Sequence, residues 1–190
     1  MTYTLSDLAW VLKTLSDSGF KFVLIGSTVV DLELRVKKFE DDIDLFALEP
    51  SPLIEEDVYR SKAEEHGWTM SQTSLGTPKF IIRVPSGSEV VVEFYENIHD
   101  FYIPIELLDE APYKSIGGVK VKTLRPEDYI VLKAKAGREI DIEDLRIIKE
   151  YIDSGKLRIN ERVLKKDISL MPEEDKPLIV RRLKSIGFRV

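Results

Sequence analysis

At 190 residues, with 43% hydrophobic and 33% charged side chains, the chain is long enough for one domain, or for a core domain with a small appendage. It has no cysteine and two histidines, His66 and His99, which excludes a disulfide scaffold, a cysteine-based zinc site and a histidine-rich metal site. The net charge of −6 is uneven: residues 145–190 carry 12 Lys/Arg against 7 Asp/Glu, a net of +5, and the preceding 144 residues carry 16 against 27, a net of −11. No apolar run approaches the ~20 residues needed to span a bilayer. Met1 to Thr4 shows no basic region ahead of an apolar core, so a cytoplasmic location is expected, with no membrane association.

Ser6 reads as the N-cap of a helix in which Leu8, Val11, Leu12 and Leu15 recur at helical spacing until Gly19. Residues 21–25 predict a buried strand that runs into a Gly26-Ser27 turn. A short helix follows from 27 to about 36, and 39–48 contains an acidic strand. Pro50-Ser51-Pro52 opens a helix that ends near Gly67. Residues 68–74, 79–84 and 89–95 predict three strands, the last two joined by a hairpin turn over 85–88. Gly117-Gly118 interrupts a further strand pair whose second member is 119–121. Beyond Pro126 the pattern is wholly helical: 127–136, 142–152, 161 to about 170, and 173–186. This order predicts an α+β fold, a mixed β-sheet core over 1–123 with a C-terminal helical appendage over 124–190. Trp10 and Trp68 are expected in the core. His66 closes a helix, and His99 falls in a loop.

The chemistry concentrates at two segments, Phe22-Val23-Leu24-Ile25-Gly26-Ser27 and Asp41-Asp42-Ile43-Asp44-Leu45-Phe46. Two residues apart on a strand, the Asp42 and Asp44 carboxylates point to one face. At an effective dielectric of about 20, like charges ~6 Å apart repel by roughly 3 kcal/mol. Water relieves that repulsion, and so does a hard divalent cation with oxygen ligands. A Gly-Ser turn can hold phosphate through backbone N–H groups and a hydroxyl. Together the segments point to a metal–nucleotide site. Asp41 is expected on the opposite strand face, in a structural role.

A two-metal phosphoryl-transfer site calls for a third carboxylate, which can also accept the proton of the attacking hydroxyl. Glu93, set within Val90-Val91-Val92-Glu93-Phe94-Tyr95, is the candidate. The alternative is an outward Glu on a half-exposed strand that shares its face with Val91 and Tyr95. Farther on, Lys133 offers a point charge for a triphosphate. Asp141 resembles a helix N-cap, with Asp144 at the third helical position. The basic tail, with Lys165, Lys166, Arg181 and Arg182, is either a set of solvated helix faces or a nucleic-acid surface.

At these residues the chain resembles the nucleotidyltransferase superfamily, whose fold is that of the polymerase beta palm. Ile25-Gly26-Ser27, Asp42-Ile43-Asp44 and Glu93 stand at the places of its motifs. Gly26 to Val30 followed by Asp42 to Phe46, with the later run from Lys133 to Leu145, is similar to the toxin-type branch of the AbiE abortive-infection system. The likeness covers roughly residues 23–148. It departs from the usual pattern in the length of the gap between Ser27 and Asp42 and in a third acid that is Glu rather than Asp. The resemblance implies a nucleotidyltransferase that uses Mg2+ (or Mn2+) and moves a nucleoside monophosphate from an NTP to a hydroxyl on RNA, protein or a small molecule. Asp42, Asp44 and Glu93 would be catalytic and metal-binding, and Gly26, Ser27 and Lys133 would bind the triphosphate. The alternatives are an inactive nucleotide-binding module or antitoxin partner with the same fold, and a purely structural interaction protein.

Overall fold

The computed structural model describes residues 2–98 and 101–190, so the expectation for His99 lies outside the described residues. The protein is an α+β fold with a mixed five-stranded sheet and C-terminal helices. Its contacts define two compact units, one of residues up to 102 together with 111–123, the other of 103–110 and 124–190.

The first unit opens with α1 (Leu5–Asp17), β1 (Lys21–Ile25), α2 (Thr28–Leu34), β2 (Ile43–Glu49) and α3 (Glu56–His66). It continues through β3 (Thr69–Gln72), β4 (Pro78–Arg83) and β5 (Glu89–Tyr95). The chain then gives α4 (Ile105–Glu110) to the second unit and returns for the hairpin of β6 (Tyr113–Ile116) and β7 (Val119–Lys122). Strand order in the sheet is β1-β2-β5-β4-β3, with β2 and β5 parallel and every other pair antiparallel. Alternation does the sorting. Phe22, Leu24, Ile43, Leu45, Val92 and Phe94 face one side, in a core shared with Leu8, Leu12 and Leu15 of α1 and Tyr59 of α3. The intervening Asp44 and Glu93 are thereby turned to the other side.

Several local expectations are corrected. The N-cap of α1 is Thr4, not Ser6: its hydroxyl accepts the Asp7 N–H at 3.2 Å and the Asp7 carboxylate accepts the Thr4 N–H at 3.0 Å, a closed capping box. Trp10 lies off the buried stripe of α1 and is 37% exposed, so it is not a core residue. Trp68 is partly buried against the core, with the His66 ring stacked on it at 4.3 Å. The helix expected from Pro52 begins only at Glu56, because the preceding turn is tied elsewhere: the Ser51 hydroxyl and the Leu53 N–H donate to the Glu96 carboxylate at 3.0 and 3.1 Å.

The second unit holds α4, α5 (Pro126–Ala136), α6 (Glu139–Asp153), α7 (Glu161–Leu170) and α8 (Lys176–Ile186), with α5 packed against the three helices that follow it. Ile130, Ala134, Leu145, Leu164, Ile179 and Leu183 are fully buried. So are three carboxylates, Asp128, Asp141 and Asp167. Asp141 is not an N-cap. Arg138 is, and Asp141 stands three residues inside α6, accepting the Arg138 N–H at 3.0 Å. Arg182 caps the other end of a helix, donating to the Ala134 and Lys135 carbonyls of α5 at 2.7 and 2.8 Å. Lys166 is bonded to the Glu110 carboxylate. Among the described residues, no helix is long and apolar enough to cross a membrane.

Candidate functional site

The side of the sheet away from α1 and α3 carries one continuous cross-strand row. Ile25 stands opposite Asp44, Asp44 opposite Glu93, Glu93 opposite Lys79, and Lys79 opposite Ser71. Five strands thus place two carboxylates and an ammonium side by side, at the spacing where cross-strand partners interact directly. Tyr95, two residues beyond Glu93 on the same face, donates its hydroxyl to a Glu93 oxygen. The Lys79 ammonium lies 3.7 Å from the other Glu93 oxygen, and the Glu93 side chain is only 16% exposed.

Asp42 precedes β2 by one residue and is half-buried. Burial first, then the Glu93 carboxylate, raise its pKa, with Lys79 opposing. The Tyr95 hydroxyl is likewise pushed upward, by burial and then by its bond to Glu93, with Asp44 and Asp42 contributing. Asp42, Asp44 and Glu93 therefore share one electrostatic neighbourhood, with Tyr95 and Lys79 inside it.

Gly26 fits the Asp44 carboxylate. Its φ of +76° lies in the left-handed region, and a Cβ built there would fall 2.1 Å from Asp44 Oδ2. Only a residue without a side chain lets the turn after β1 pass so close to the acid on β2. The Ser27 hydroxyl, rather than capping α2, donates to Asp41 Oδ2 at 2.7 Å. Asp41 is therefore part of the Ser27 turn and precedes the strand altogether, which corrects its expected place on the far face of β2. Asp31 on α2 completes this acidic margin, pushed up to about 6 by burial and by Asp41 and Glu40.

The donors are hard oxygens, as Mg2+ or Mn2+ requires. Among the described residues no group of three acidic or histidine side chains is close enough to cage an ion. That suits Mg2+, which binds through one or two carboxylates and takes its remaining ligands from substrate phosphates and water. The Gly26 cradle around Asp44 and the adjacent Glu93 fit such a partial site.

Lys133 lies on α5 in the helical unit, and its charge is already answered. Its ammonium bonds Asp141 at 2.9 Å and Asp144 at 2.7 Å. Burial pushes Asp141 upward, but the Arg138 and Lys133 bonds outweigh it and hold the carboxyl at about 2. A lowered pKa contributes stability above the ordinary carboxylate range, lost as pH falls toward 2. Lys133→Met should therefore lower unfolding stability by about 2 kcal/mol at pH 7, since Asp141 stays buried with less compensation. The deficit should shrink in acid. Urea titrations at pH 7 and pH 3 would check both.

Tyr95 was legible as a partner from its spacing to Glu93, whereas Lys79 depended on strand register, which the sequence does not show. The fold is similar to the crystal structure of an antigenic nucleotidyltransferase-like protein from Paracoccidioides brasiliensis, at 14% identity and a TM-score of 0.56, covering 97% of this chain and 91% of that one. No curated protein matches the sequence. A family described as nucleotidyl transferase of unknown function (DUF2204) matches residues 4–185, nearly the whole length, and the chain belongs to that family.

Proposed function

We propose that the protein is a metal-dependent nucleotidyltransferase that moves a nucleoside monophosphate from an NTP to a hydroxyl acceptor. The observation that carries this reading is the pairing of Asp44 with Glu93 across β2 and β5, with the Asp44 carboxylate lodged against Gly26. Asp42 and Asp44 would hold Mg2+ or Mn2+, and Glu93 would complete a second metal position. When bound, the ions supply charge that neutralises the triphosphate and the developing alkoxide.

The chain's own residues position and move protons. The acceptor oxygen bonds to the α-phosphorus, the bond from that phosphorus to the bridging oxygen breaks, and pyrophosphate leaves. The acceptor's proton passes to Glu93, whose carboxylate Tyr95 orients. The Gly26-Ser27 turn would hold the triphosphate through backbone N–H groups and the Ser27 hydroxyl. Lys133 is left out of these roles because two carboxylates already neutralise it. The resemblance of residues 26–46 and 133–145 to toxin-type members makes a cellular RNA or protein the first acceptor to test. An NTP substrate suits the cytoplasm.

The test is incubation with each labelled NTP, Mg2+ and total RNA or lysate. Glu93→Gln should keep NTP binding but slow transfer by about 10², the usual cost of losing a general base. Asp42→Asn should abolish the rise in melting temperature that Mg2+ with NTP gives the wild type. Wild-type turnover in Glu93→Gln, or an unchanged metal response in Asp42→Asn, would remove these assignments.

A further inference from the structure

We propose that Lys79 is the resident counter-cation of the carboxylate row, and that a divalent ion binding at the acids displaces it from Glu93. The inference rests on the metal-dependent reading above and adds a residue that no sequence motif marks.

Lys79 and Glu93 are direct cross-strand partners on the open side of the sheet, and Asp44 flanks Glu93 from β2. The contact is loose: 3.7 Å between Nζ and Oε1, longer than a charge-assisted hydrogen bond. Tyr95 donates its hydroxyl to the other Glu93 oxygen, so Glu93 keeps a partner when the ammonium leaves. With Asp42, Asp44 and Glu93 ionised the row carries −3, and the ammonium reduces that to −2, which weakens its attraction for a divalent ion. Ion and ammonium bound together would place like charges a few ångströms apart in a half-buried site. The Lys79 side chain is 31% exposed and its neighbour Ser71 on β3 is exposed, so the flexible arm has solvent to move into.

The experiment is calorimetric titration of Mn2+ alone into wild type, K79M, K79R and Asp44→Asn, each checked for a cooperative melt. K79M should bind Mn2+ about tenfold more tightly than wild type, because a competing like charge is gone. K79R, which keeps the charge, should stay within about twofold. The K79M gain should shrink as ionic strength rises, since the pair is partly exposed. If the methionine variant folds poorly, K79Q tests the same direction. Unchanged or weaker binding in K79M, beside a wild type whose binding Asp44→Asn removes, overturns the inference alone. A wild type that binds no Mn2+, or binding that survives Asp44→Asn, overturns the metal reading and this inference with it.

Discussion

Gly26→Ala is expected to cost the protein about 2–4 kcal/mol of stability and to slow nucleotidyl transfer by on the order of 10²–10³-fold. Two separate penalties add. A side chain at φ +76° brings backbone strain of about 1 kcal/mol. The new methyl would also stand 2.1 Å from Asp44 Oδ2 and 2.8 Å from Asp44 Cβ, where atoms never settle. The carboxylate must then move by more than 1 Å, and overpacking of that kind costs a further 1–3 kcal/mol or so. Displacement on that scale is enough to lose about 10² in rate by itself. Gly76→Ala is the matched control, with a φ of +80° and nothing within 4 Å of its added Cβ. It should show the strain alone and leave transfer untouched. Urea unfolding of both variants separates strain from collision. Equal stability losses in the two would mean that the Asp44 carboxylate does not occupy the Gly26 cradle.

Asp167→Asn is expected to stabilise the protein, by several kcal/mol at pH 8. Asp167 on α7 and Asp128 on α5 are both fully buried, and three of their four oxygens lack a hydrogen-bond donor. The fourth, Asp128 Oδ2, takes the Arg125 N–H at 2.7 Å. Burial, then the Asp128 carboxylate, push Asp167 up to about 8, while Arg125 pulls the other way. The remaining charges nearby are Glu127, which accepts the Asn160 N–H, and Glu110, paired with Arg125 and Lys166. A raised carboxyl pKa contributes stability that is fully present below the unfolded value and erodes as pH rises toward 8. The slope is about 1.4 kcal/mol per pH unit for one proton. Protonated, Asp167 donates to the Asp128 carboxylate, so that the pair shares one proton; an asparagine amide supplies permanently the donor that this proton supplies only in acid. The variant should match wild type near pH 4 and outlast it increasingly up to pH 8. A stability difference that does not change over that range would remove the shared proton.

Where one physical signal dominates, sequence and structure agree closely. Strands Lys21–Ile25 and Glu89–Tyr95 and helix Glu161–Leu170 have the expected bounds, because alternation or helical periodicity there meets a clear turn at each end. The six-residue α4 is too short to display a period in the sequence. Caps are ambiguous where two candidates compete: Thr4 wins over Ser6 because only Asp7, three residues on, can return its bond. At the site, the Gly-Ser turn and the acids were visible because polar residues interrupt apolar runs. Their apposition depends on the parallel pairing of β2 with β5, strands about 45 residues apart, and Lys79 depends on the register of β4. Register is a property of assembled strands, and a single strand's sequence does not state it.

The passage of the chain through α4 bears on how the protein can be made and cut. Ile105–Glu110 is laid down before the β6–β7 hairpin yet packs with α7, which is synthesised some fifty residues later. During translation the sheet unit has its last strand once residue 123 emerges, while α4 must wait, its buried Leu107 and Leu108 uncovered, until Leu170 has left the ribosome. A fragment ending at residue 123 would keep that apolar helix with no α7 to receive it, and the complementary fragment would lack Glu110, the acid that Arg125 and Lys166 both hold. The two units are consequently inseparable by a single cut, and an expression boundary drawn between them would leave two fragments prone to aggregation.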